Sequence, residues 1–185
     1  MAGLPDIAPQ RLAVAADAEP ISALMKASVR ELFPRYYDAR QTASAEIYVA
    51  QLDTVLIDDG TYYVHEAGGE IVACGGWSRR NRLHAGAGTA DDDDRLLDPR
   101  TEPARVRAMF VRSDWTRRGL GRAILESCER AARAEGFTML ALMATLPGEP
   151  LYRAFGFTET GRVMVRAPDG VELAGVTMQR PVSEA

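Results

Sequence analysis

Apolar residues along the chain fall into two periodicities, and these divide it into elements. Ile21, Leu24, Met25 and Val29 recur at helical spacing and predict a helix with one buried face. Asp17 suits its N-cap and Pro20 its first turn. Phe33-Pro34 predicts its end, because proline disfavours helical backbone at the residue before it. A second helix is expected over residues 43–52 and a turn at Asp58-Asp59-Gly60. Residues 61–66 and 71–78 read as two strands joined through Gly68-Gly69. A short strand at 11–15 precedes the first helix, and another strand covers 104–111.

Leu120, Ile124, Cys128 and Ala131 then mark a long helix over 119–135, stopped by Gly136. The apolar run in 137–144 reads as a strand buried on both faces. A short helix at 150–155 ends at Gly156. Residues 157–166 and 171–180 form a hairpin around Ala167-Pro168-Asp169-Gly170, which is good turn chemistry. This order predicts an α/β fold: a mixed, largely antiparallel central sheet with helices on both faces.

Between these elements, residues 79–103 are polar and irregular, with the run Asp91-Asp92-Asp93-Asp94, and read as a long mobile loop inserted into one domain spanning 1–185. A chain of 185 residues suits one domain. The net charge of −4 argues against a general nucleic-acid binder. That average hides a division. Residues 91–102 hold six acids against two arginines, whereas residues 112–122 hold four arginines against one aspartate. No apolar stretch approaches the roughly 18 residues of a membrane span. Residues 1–10 show no secretory signal, so a cytoplasmic location is expected. Cys74 and Cys128 form no disulfide framework and are expected as buried small hydrophobes, and His65 and His84 are too isolated for a zinc site. No metal is therefore expected.

The chemistry concentrates in two segments. The first is Met109-Phe110-Val111-Arg112-Ser113-Asp114-Trp115-Thr116-Arg117-Arg118-Gly119-Leu120-Gly121-Arg122, where a strand enters a glycine loop that opens a helix. Glycines let backbone N–H groups approach a ligand closely, and a helix start adds unpaired donors and a positive dipole end. Arg117, Arg118 and Arg122 add charge for phosphate oxygens. It is not a dinucleotide fingerprint, since Ile124 occupies the third glycine position, and it lacks the Gly-Lys-Ser/Thr of a nucleotide P-loop, which disfavours a nucleotide-binding regulator. The second is Tyr152-Arg153-Ala154-Phe155-Gly156-Phe157, after a Pro147-Gly148 turn.

With both segments in this order, the chain resembles the GNAT superfamily of acyl-CoA-dependent N-acyltransferases. That family carries Gln/Arg-x-x-Gly-x-Gly/Ala between its fourth strand and third helix, and many members carry Tyr-x-x-x-Gly-Phe before the sixth strand. Here the first motif reads Thr116-Arg117-Arg118-Gly119-Leu120-Gly121, with Thr116 where the family usually has Gln or Arg. Its hydroxyl is expected to hydrogen-bond a phosphate in their place. The 28 positions from Gly121 to Glu149 leave room for the helix and strand the family places there.

The resemblance implies transfer of an acetyl group from acetyl-CoA to the amine of a small molecule or protein. It implies that the backbone of Met109, Phe110 and Val111 pairs with the pantetheine arm, and that Thr116, Arg117, Arg118, Gly119, Leu120, Gly121 and Arg122 hold the pyrophosphate. Tyr152 would protonate the departing thiolate, a role suited to a group of reference pKa about 10. The bend between the first two helices would line the acceptor side with Phe33, Tyr36 and Tyr37. Dimerisation is common in the family. Residues 104–111 contain no acid to serve as base; Glu66, Glu102 and Glu149 stand in neighbouring segments, and a water chain serves equally well. The competing reading is a non-catalytic acyl-CoA-binding module, and the presence of Tyr152 favours the enzyme.

Overall fold

The computed structural model describes residues 9–82 and 94–183. A seven-stranded sheet carries the fold, with strands β1 (Gln10–Leu12), β2 (Tyr62–Ala67), β3 (Glu70–Ser78), β4 (Ala104–Val111), β5 (Met139–Thr145), β6 (Thr158–Arg166) and β7 (Glu172–Pro181). Their order across the sheet is β1-β2-β3-β4-β5-β7-β6. All neighbours are antiparallel except β4 and β5. The mixed, largely antiparallel sheet expected from the pattern is therefore present.

Helices α1 (Ala18–Leu32) and α2 (Ala39–Tyr48) pack on one face. Ile21, Leu24, Met25 and Val29 are buried there, as their spacing predicts. Helix α4 (Leu120–Ala134) and the short α5 (Glu149–Phe155) cover the other face through Leu120, Ile124, Cys128, Tyr152 and Phe155. Each fully buried aliphatic side chain contributes about 1.5–3 kcal/mol to holding these layers together.

Several local expectations differ from the structure. Asp17 makes no side-chain cap bond to α1. Its carboxylate instead receives Arg11 at 2.7 and 2.9 Å and the Val14 N–H at 2.8 Å, which ties the end of β1 to the start of the helix. Arg11 holds the Asp17 carboxyl below its ordinary range. Helix α2 begins four residues before the expected 43, because Asp38 and Gln41 form a reciprocal cap: Gln41 N–H donates to Asp38 Oδ1 at 2.7 Å, and Asp38 N–H donates to Gln41 Oε1 at 3.0 Å. A one-turn helix α3 (Val55–Asp58) follows, too short for periodicity to register.

The expected loop over 79–103 is only partly described, and the Asp91–Asp93 part of the aspartate run lies outside the described residues. Its two described flanks are held together. Arg80 bridges to Leu96, Arg95 pairs with Glu102 at 2.8 Å, and Leu97 is buried in the α4 face of the core.

The decisive irregularity lies in β4. Cys74 pairs with Phe110 and Gly76 with Arg107, so Ala108 and Met109 together oppose the single residue Gly75. This is a β-bulge, and Ala108 takes φ +52, a left-handed conformation uncommon for a residue with a Cβ. Glycine suits the position opposite it, because a Cβ on Gly75 would displace the Met109 side chain. The fully buried Tyr62 fixes the bulge by donating to the Ala108 carbonyl at 2.7 Å. Beside the bulge, β4 and β5 pair only at Ala104–Leu140 and Arg105–Ala141 and then diverge. The remaining length of β4 has no strand on that side.

Tyr62→Phe should therefore destabilise the fold by about 1–3 kcal/mol, since it strands a strained carbonyl without its donor. The measurement is the denaturant midpoint at unchanged m-value; an unshifted midpoint would show that the bulge holds without the clamp.

Candidate active site

The divergence of β4 and β5 opens a cavity of about 730 Å³ between the two faces of the sheet. Its walls come from residues 106–111 of β4, residues 115–117 and 119–122 at the start of α4, residues 143–145 at the end of β5, Pro147 and Gly148 after it, and α5. The α1–α2 bend and the tip of the β6–β7 hairpin close the other side. Met109, Phe110, Val111, Thr116, Arg117, Gly119, Leu120, Gly121, Arg122 and Tyr152 all line this one space, although the chain separates them by up to 43 positions.

The loop leading into α4 is built by its own hydrogen bonds. Arg112 clasps Asp114 through two bonds at 2.6 and 3.0 Å and reaches Glu70 at 2.8 Å. Ser113 donates to the Glu31 carboxylate on α1. Thr116 donates its hydroxyl to the Ser113 carbonyl at 2.8 Å. Its hydroxyl proton is thereby used inside the loop. Arg117 and Gly119 take φ +60 and +84, and these reversals turn the chain into α4. The first bond of the α4 ladder runs from Ala123 N–H to Gly119 O, so the N–H groups of Leu120, Gly121 and Arg122 precede it.

The arginines divide. Arg117 and Arg122 line the cavity; Arg118 does not, and lies over the Trp115 ring at 4.5 Å. Arg122 also pairs with Glu126 one turn further along α4. The two motif glycines differ in role as well. A Cβ on Gly119 would meet nothing within 4 Å, but one on Gly121 would lie 2.8 Å from Leu151 Cδ2 of α5. Gly121 thus sets how closely α4 approaches the helix that carries Tyr152.

Helix α5 begins after Gly148 and ends at Gly156, whose φ of +102 is the left-handed C-cap expected of glycine there. Tyr152 and Phe155 point inward. The Tyr152 ring stands edge-on to Phe157 at 5.9 Å, and its hydroxyl has no hydrogen-bond partner among the described residues. Burial, reinforced by Cys128, pushes the Tyr152 phenol well above its ordinary value, so it stays protonated at neutral pH.

On the opposite side, Phe33 and Tyr36 line the cavity. Tyr37 does not. It is buried, donates to the Ala174 carbonyl at 2.7 Å and accepts from the Leu146 N–H at 2.9 Å, and so joins the α1–α2 bend to β7 and to the end of β5. Arg35, Tyr48, Gln51, Arg107 and Arg166 also line this side, and sequence reasoning missed them. No motif marks them; they meet only because three distant segments converge.

None of the three neighbouring glutamates lines the cavity. Glu66 pairs with Arg11 at 2.9 Å. Glu102 is held at about 2 by Arg95 and the Asp98 N–H. Glu149 pairs with Arg153 at 2.6 Å. Among the described lining residues there is no Asp, Glu or His. No cluster of metal-ligating side chains occurs among the described residues, and no helix there is long and apolar enough to cross a membrane.

A splayed parallel strand pair beside a bulge, a glycine loop and the helix that carries Tyr152 thus enclose one cavity. The model of the acetyltransferase (GNAT) family matches residues 26–157, and the chain belongs to that family. A comparison with curated protein sequences found no match. Among solved structures, the chain resembles a GCN5-related N-acetyltransferase from Rhodopseudomonas palustris, with TM-score 0.70, 18% identity, and 95% and 96% of the two chains covered. It also resembles a PaiA N-acetyltransferase from Thermoplasma acidophilum in complex with coenzyme A, with TM-score 0.65, 11% identity, and 94% and 98% covered. A third is a phosphinothricin acetyltransferase from Sinorhizobium meliloti in complex with AcCoA, with TM-score 0.62, 22% identity, and 97% and 90% covered.

Gly121→Ala should press α5 outward and lower thermal stability by about 1–3 kcal/mol, and Leu151→Ala in the same chain should recover part of the loss. A double-mutant cycle by denaturation measures this; strict additivity would show that the two residues do not set the α4–α5 distance.

Proposed function

We propose that the protein transfers an acetyl group from acetyl-CoA to a primary amine in the cytoplasm. The observation that carries this reading is the unpaired edge of β4 beside the Ala108 bulge, facing Tyr152 across one cavity. A strand edge with no strand partner suits the amide-bearing pantetheine arm, which would lie against Met109, Phe110 and Val111 as an added strand. The N–H groups at the start of α4, with Arg117 and Arg122, suit the pyrophosphate. A Cβ-free, open Gly119 supports close approach of phosphate oxygens there.

In the transfer, the neutral amine nitrogen attacks the thioester carbonyl, the new C–N bond forms and the C–S bond breaks. A β4 backbone N–H would stabilise the charge building on the carbonyl oxygen. The amine gives up one proton to water, since no carboxylate or imidazole lines the described cavity. The departing sulfur takes one from Tyr152, whose phenolate then recovers a proton from water. Transfer from a phenol to a thiolate looks unfavourable in water, where their pKa values are about 10 and 8.5. Burial raises the phenol as well, so the step is driven by the breaking C–S bond, with the proton reaching the sulfur as that bond opens.

Tyr152→Phe should slow acetyl transfer about 10²-fold while leaving acetyl-CoA affinity by calorimetry within a factor of about two. Unchanged turnover would remove Tyr152 from the reaction. Failure of acetyl-CoA to bind the native protein would overturn the whole reading.

A further inference from the structure

The side of the cavity away from the glycine loop is cationic. Arg35 lies in the 3-10 turn after α1, and Arg166 is the last residue of β6. Three hydrogen bonds bring those two segments to one rim. Tyr37 donates to Ala174 O at 2.7 Å, Gln41 Nε2 to Glu172 O at 2.9 Å, and Ser44 Oγ to Asp169 Oδ1 at 3.1 Å. Both arginines are exposed and line the cavity, and neither makes a hydrogen bond or ion pair among the described residues.

The acids nearby are occupied elsewhere. Asp38 caps α2, Asp169 accepts from Ser44 and from the Val171 N–H, and neither they nor Glu172 line the cavity. Arg107 is buried deeper and has its own carboxylate, Asp53, at 2.9 Å. The remaining polar lining there is neutral: Tyr36, Tyr48 and Gln51.

We propose that the acceptor is a small amine that also carries an oxyanion group, a carboxylate in the simplest case, which Arg35 and Arg166 receive. This rests on the acetyl-transfer reading and names its substrate class. Guanidinium groups match carboxylate and phosphonate geometry, whereas the same pair repels a polyamine or a lysine-rich segment. The arrangement has a second effect. Positive charge nearby lowers the pKa of an ammonium, so more of the bound acceptor is the neutral nucleophile. A cavity lined without carboxylate or imidazole gains most from that.

The test is steady-state acetylation by the full chain of three matched acceptors: an α-amino acid, its carboxamide and its aminophosphonate analogue, with spermidine as the cationic arm. The amino acid or the phosphonate should exceed the carboxamide and spermidine in kcat/KM by about tenfold or more, the size of one charge-assisted hydrogen bond. Which of the two leads identifies the oxyanion. Arg35→Gln and Arg166→Gln should each collapse that ratio through KM, while acetyl-CoA affinity by calorimetry holds. Arg40→Gln, on the exposed start of α2 and outside the cavity, should leave the ratio unchanged. Equal use of acid and amide, a preference for spermidine, or no acetylation of either anionic amine while acetyl-CoA binds would overturn the acceptor class alone. Failure of acetyl-CoA to bind would instead strike the transfer reading beneath it.

Discussion

The bulge at Ala108 is the constraint on which the site depends. A regular β4 would keep its hydrogen bonds to β3 in register and remain free to pair with β5 along its whole length. Two residues opposite Gly75 change the direction of the strand, and β5 follows for only two pairs before parting from it. The cost is local strain at a non-glycine residue with positive φ, of the order of 1–3 kcal/mol. Its neighbours offset that cost. Tyr62 supplies a buried donor to the strained carbonyl, and Gly75 and Gly76 leave room for Met109 and for the backbone of Thr61. The functional backbone is therefore prepared by residues on β2 and β3 that never need to touch a ligand.

Much of the fold was legible because its signals are local. The α1 and α4 stripes, the Gly68-Gly69 turn and the Gly156 stop each depend on a few adjacent residues, and the structure places them as expected. Helix α2 was misplaced because the Asp38–Gln41 cap is polar and leaves no mark on the apolar pattern. The bulge left no legible mark either, since Ala108 looks like an ordinary strand residue until its pairing with Gly75 is known.

The site divides along the same line. Its glycine loop and Tyr152 are contiguous motifs and could be read from the chain. The roles within them could not, because they depend on partners distant in sequence. Thr116 spends its hydroxyl on Ser113, Arg118 lies on Trp115, and Gly121 accommodates Leu151. The opposite wall is assembled from the α1–α2 bend, β4 and the β6–β7 tip, so Arg35, Arg107 and Arg166 carry no common spacing. Tyr37 shows the reverse error: an aromatic at the expected place whose hydroxyl is used to join segments rather than to face the cavity.

Charge and burial then act on the same reaction from opposite sides of the gap. The chain is acidic as a whole, yet the described cavity wall has arginines and no carboxylate. On that wall an ammonium is disfavoured and loses its proton more readily. On the α5 side, the apolar packing around Tyr152 disfavours anions, so the phenol keeps its proton and a thiolate would not persist. In the proposed transfer, one wall thus favours loss of a proton from nitrogen, and the other disfavours a bare thiolate at the sulfur. The splayed strands place both walls on one cavity, so in the proposed transfer the arginine side eases loss of the acceptor's proton where the described lining offers no carboxylate or imidazole.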